Sequence, residues 1–94
     1  ANLEQAIACY KAALRVYTET DFPQEWAMTQ NNLGNAYDQL PRGDRGENLE
    51  EAIACYERAL TVYTEEAFPH RHAMVNKNLA KARAALAALH SDKE

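Results

Sequence analysis

Apolar residues along the chain fall into helical rows. Leu3, Ile7, Tyr10, Leu14 and Tyr17 advance by four, three, four and three positions, the step of one face of an α-helix. Ala6, Cys9, Ala13 and Val16 form a second row of smaller residues beside it. A helix with two adjoining apolar rows needs cover on two sides, as a helix inside a stack does. Asn2 and Asn48, with Gln5 and Glu51 three residues on, read as helix N-caps of capping-box type. Phe22-Pro23 and Phe68-Pro69 interrupt the pattern, and proline suits the first turn of a following helix. The pattern therefore predicts four helices, near 2–19, 23–40, 48–65 and 69–90. Trp26, Leu33, Tyr37 and Leu40 share one face of the second. Short connections imply antiparallel neighbours in up-down order.

The pattern is written twice. "NLEQAIACYKAALRVYTETDFPQEWAMTQNNLGNAYDQL" from Asn2 aligns without a gap on "NLEEAIACYERALTVYTEEAFPHRHAMVNKNLAKARAAL" from Asn48, an offset of 48 − 2 = 46 residues. Leu3, Ile7, Cys9, Tyr10, Tyr17, Phe22, Pro23, Met28 and Leu33 recur as Leu49, Ile53, Cys55, Tyr56, Tyr63, Phe68, Pro69, Met74 and Leu79. A period in this range marks a stacked repeat architecture.

Leu33-Gly34 with Tyr37, followed by Ala52, Tyr56 and Ala59, resembles the tetratricopeptide repeat (TPR), in which small residues let two helix backbones approach and an aromatic fills the gap between repeats. The common repeat of that family is about 34 residues long, so a 46-residue period places its excess in the turns; the long-period kinesin-light-chain-like members and related bacterial arrays are the nearest likeness. The resemblance implies an all-α fold: antiparallel helix-turn-helix repeats stacked as a short, right-handed, TPR-like solenoid of four helices, one domain over residues 1–94. The second copy departs from the pattern with Ala80 for Gly34, Arg83 for Tyr37 and His72 for Trp26, as a terminal, solvent-facing helix would. The first helix starts half-way through a repeat. The expectation is a fragment of a longer array, whose first helix has a partly uncovered face available for self-association.

Composition narrows the function. A net charge of −4 argues against phosphate-backbone binding as the main task, so no nucleic acid partner is expected. No apolar run approaches the ~18–20 residues that cross a bilayer, so no membrane partner is expected either. Cys9 and Cys55 belong to no Cys-x-x-Cys pair and read as small buried residues in a reducing, cytoplasmic setting. His70 and His72, two apart, point to different sides of a helix and read as surface variation. With no catalytic triad, phosphate loop or metal spacing, neither enzyme activity nor a cofactor or metal is expected.

Binding is the remaining candidate. Met28, Asn31, Asn35 and Asp38 step by three, four and three along the second helix, and their counterparts are Met74, Lys77, Lys81 and Ala84. In the repeat family that the chain resembles, the first helix of each repeat lines a groove for peptides, where Asn and Lys clamp backbone and carboxylates. The resemblance thus implies a peptide or protein partner, acidic in character, on a groove lined by the second and fourth helices. The residues implied are Met28, Asn31, Asn32, Asn35, Met74, Lys77, Asn78 and Lys81. The alternative is a structural spacer or self-associating segment with no groove ligand. Arg42-Gly43-Asp44, a tripeptide that adhesion receptors read, is expected to be a connector between helices.

Overall fold

Proline opens two of the four helices, where its missing N–H is no loss and its fixed φ already suits the turn. In the computed structural model, which describes residues 2–92, the elements are α1 (Asn2–Val16), α2 (Pro23–Gln39), α3 (Arg45–Leu60) and α4 (Pro69–Asp92). The chain forms an all-α helical repeat: α1 lies along α2, α2 along α3 and α3 along α4, while α2 also touches α4. The result is a slab of 43 × 31 × 17 Å. Among the described residues no helix is long and apolar enough to cross a membrane.

Three boundaries differ from the sequence pattern by three residues or more, each for a local reason. The apolar rows run on past Val16 and Leu60, yet α1 and α3 stop there. The hydroxyls of Thr18 and Thr64 accept from the N–H groups of Asp21 and Ala67, and Thr61 Oγ1 donates to the Arg58 carbonyl. Such bonds offer the backbone an alternative to continuing the helix. At the other boundary the N-cap of α3 is Asp44 rather than Asn48. Asp44 is extended and its carboxylate accepts from Glu47 N–H at 3.0 Å, satisfying an orphan donor of the first turn. Asn48 instead reaches back to donate to the Arg42 carbonyl at 2.8 Å, and Gly43 takes the positive φ (81°) the turn requires. Every residue of Arg42-Gly43-Asp44 is thus part of the connector.

The core holds Leu49, Ala52, Tyr56, Ala59 and Tyr63 from α3 and its following turn, packed with Ala27 of α2 and Val75, Leu79 and Ala82 of α4. A smaller cluster joins Ile7, Leu33, Ala36 and Cys55. The two copies of the repeat are buried unequally. Tyr63 is 0% exposed and Tyr17 37%; Cys55 is buried, whereas Cys9 is exposed, contrary to the expectation that both are core residues. The cause is cover: α2 lies on the face of α3 that carries Tyr56 and Tyr63, and no helix among the described residues lies on the same face of α1.

The cysteines make this inequality measurable. Burial pushes the Cys55 thiol up to about 11, which leaves almost no thiolate at neutral pH, and the thiolate is the reactive form. A thiol reagent in excess at pH 7.5 is expected to modify Cys9 alone in the native chain and both thiols in denaturant. Two fast native modifications, read by intact mass, would contradict the packing.

Candidate functional site

Twelve successive residues of α2, from Trp26 to Tyr37, carry no charge, and the helix is covered along two sides. Ala27, Thr29, Gln30, Asn31, Leu33, Gly34 and Ala36 are all buried. The row Met28–Asn31–Asn35–Asp38, which periodicity puts on an outward face, instead runs along the seam between α2 and its neighbours. Asn31 is only 3% exposed, and its Oδ1 accepts from Asn78 Nδ2 of α4 at 3.2 Å. This corrects the expectation of a surface clamp at Asn31: burying its amide demands a partner inside the protein, and Asn78 supplies it. Asn35 is half-buried, with its Oδ1 accepting from the Tyr56 hydroxyl of α3 at 2.6 Å. Gln30 Oε1 is buried without a partner among the described residues.

Three features remain open. Met28 is half-buried and lines a concavity of about 210 Å³ with Gln24, Glu25, Tyr63 and Arg71, at the end where α2 and α4 begin. Lys77, Lys81 and Met74 stand on the exposed face of α4, Met74 at 41%. Asn32 and Asn35 face the other way, into a concavity of about 150 Å³ shared with Leu3, Ala6 and Tyr10 of α1. The structure therefore does not bring the eight sequence-predicted residues into one groove. It divides them between an α4 face, an internal Asn31–Asn78 bond, an α1/α2 recess and, for Met28, the concavity at the start of α2 and α4. The missed signal was the uncharged run itself, which no helix with one wet face would carry over three turns.

Electrostatics distinguish the α4 face. Residues 1–68 hold 12 Asp/Glu against 5 Lys/Arg, a net of −7, whereas residues 69–91 hold four Lys/Arg and no acid. Of these four, Arg83 pairs with Glu57 at 2.8 Å and Arg71 lies over the Tyr63 ring at 5.5 Å. Lys77 and Lys81 join no ion pair among the described residues. His72 is no bystander on the surface: it is half-buried, and its Nδ1 lies 3.1 Å from the Tyr63 carbonyl, tying α4 to the turn before it. Among the described residues no three His, Cys, Asp or Glu side chains are grouped to hold a metal ion. The site can bind by hydrogen bonds, apolar contact and charge.

Comparison with known proteins agrees with the helical-repeat fold. A family model described as soluble NSF attachment protein (SNAP) matches residues 1–93. It supports a helical-repeat family at large, and not the kinesin-light-chain-like branch in particular. No curated protein and no solved structure matches the chain.

Proposed function

The chain belongs to the soluble NSF attachment protein family, and from that premise we propose that it is a protein–protein interaction module whose partner is an acidic protein segment held along α4. The family is named for attachment to another protein, an adaptor's task rather than an enzyme's. The observation that carries the reading is the charge pattern: a helix with four cations and no acid through Ser91, on a body of net −7. Among the described residues Lys77 and Lys81 join no ion pair, so an acidic segment meets them without breaking such a pair. Met74 and Met28 supply adaptable apolar contact nearby, while Asn32 and Asn35, in the α1/α2 recess, stand apart from it. Asn31 and Asn78 set the spacing of α2 and α4. The motif Leu33-Gly34 with Tyr37 is, in this reading, that of a tetratricopeptide-like repeat of long period, one unit of a larger array. An unpaired, exposed Cys9 favours a reducing, cytoplasmic setting.

Probing an array of acidic and free-carboxylate peptides with the chain tests the proposal. Bound peptides are expected to lose affinity as salt rises and to lose at least about tenfold in the Lys77→Glu/Lys81→Glu variant, since like charges then face each other. Both residues are exposed, so the unfolding midpoint stays where it was. Peptide binding indifferent to the double reversal removes the reading.

A second reading, a spacer that self-associates, is favoured by the uncovered apolar residues Val16 (65% exposed), Tyr17 and Phe22 (42%). Here α1 of one copy packs on α1 of another. Sedimentation equilibrium decides: a single mass of 10.6 kDa at high concentration excludes it.

A further inference from the structure

The α2–α3 interface is a lock whose receiving face the chain carries twice, and among the described residues a helix fills one of the two. Beneath α2, Leu49, Ala52 and Tyr56 are at most 1% exposed. Four contacts fix α2 in that seat. Gly34 lies against the Tyr56 ring so closely that an added Cβ would sit 2.7 Å from Cε1. The Tyr56 hydroxyl donates to Asn35 Oδ1 and the Tyr63 hydroxyl to the Gln24 carbonyl, at 2.6 and 3.1 Å. Asn78 Nδ2 donates to Asn31 Oδ1.

Every receiving group recurs 46 residues earlier: Leu3, Ala6 and Tyr10 for Leu49, Ala52 and Tyr56, Tyr17 for Tyr63, and Asn32 for Asn78. Leu3, Ala6, Tyr10 and Asn32 line the open recess of about 150 Å³. The geometry is already set in the empty seat. Tyr17 and Phe22 meet edge to face with centroids 5.5 Å apart and planes at 69°, against 5.4 Å and 67° for Tyr63 and Phe68 in the filled one.

We propose that the α1/α2 recess is a docking seat for a helix of α2's own pattern: glycine opposite Tyr10, amide carbonyls one residue after and three before that glycine, and a free backbone carbonyl near its first turn. The glycine admits the ring, the two amides accept from Tyr10 and Asn32, and the carbonyl accepts from Tyr17. This surface is separate from the basic α4 face and does not depend on what binds there. The same code turns away α4 of a second copy. At the positions of Asn31, Gly34 and Asn35, α4 carries Lys77, Ala80 and Lys81. Both acceptors are replaced by ammonium groups, which only donate, and a methyl stands where the ring needs space. Head-to-tail growth of identical chains is thus opposed at the contact itself.

The test is a tethered helix. Residues Phe22–Glu47 are copied in front of Asn2, in place of Ala1, so that the chain's own connector presents the added helix at high effective concentration. Hydrogen exchange of the α1 amides is expected to slow at least about tenfold relative to the parent. The same fusion carrying N31K, G34A and N35K in the added copy leaves α1 exchange at the parent rate. Equal protection by both fusions, protection by neither, or loss of the parent's α3 protection on fusion overturns the proposal. So does a parent chain that sediments as a dimer with α1 already protected, since a second copy then fills the seat.

Discussion

Tyr56→Ala is expected to cost about 3–5 kcal/mol in denaturant unfolding, the range for truncating a buried aromatic, while Tyr10→Ala costs about 1 kcal/mol or less. The two tyrosines occupy the same position of the repeat, 46 residues apart. Tyr56 is 1% exposed, packs on Gly34 and is anchored through its hydroxyl to Asn35. Burial holds its phenol well above the ordinary range. Tyr10 is only partly buried, at the edge of the smaller cluster and lining the open recess, so less surface returns to water when it is cut. Small domains have about 5–15 kcal/mol in total, so Tyr56→Ala removes a large share of it. Tyr56→Phe separates the parts: the ring stays, Asn35 loses its donor, and the cost falls to about 1 kcal/mol. Equal losses at Tyr10 and Tyr56 would mean that the two faces are equally covered.

Gly34→Ala reverses the usual sign of a glycine replacement in a helix. On propensity alone it gains about 1 kcal/mol. Its new Cβ, however, would meet the Tyr56 ring at 2.7 Å from Cε1 and 2.9 Å from Cδ1. The ring cannot swing away, being buried and held at its hydroxyl, so overpacking of about 1–3 kcal/mol outweighs the gain. The counterpart exchange, Ala80→Gly on exposed α4, has no steric side and costs about 1 kcal/mol by propensity. Melting curves of the two variants check this, with a third in which Gly34→Ala is placed in a Tyr56→Leu background. There the loss should shrink or turn into a gain. A Gly34→Ala chain as stable as the parent would show that the contact is looser than its geometry.

Much of this was legible in the sequence, because helices and repeats are periodic and periodicity survives without coordinates. The 46-residue offset, the four helices and the two prolines at helix starts needed only the order of residues. What periodicity does not encode is which neighbour covers a row. Tyr17 and Tyr63, or Cys9 and Cys55, are identical on paper and differ in the fold because α2 lies over one member of each pair. Asn31 shows the same gap at the site: its stripe looked outward, but a second flank of α2 is covered and its amide bonds to Asn78. The N-cap of α3 is Asp44 rather than Asn48 because either side chain can cap, and the turn geometry chose the one already extended.

Two nearly identical faces of this chain are covered unequally: α2 lies on the face of α3, and no helix among the described residues lies on the matching face of α1. Native-state hydrogen exchange on the parent chain tests it most directly. The α3 amides from Ala52 to Ala59 should open only with global unfolding, and the matching α1 amides from Ala6 to Ala13 should exchange at least about 100-fold faster by local opening. Matching protection in α1 and α3 would contradict the claim, for the α1 face would then be as fully covered as its twin.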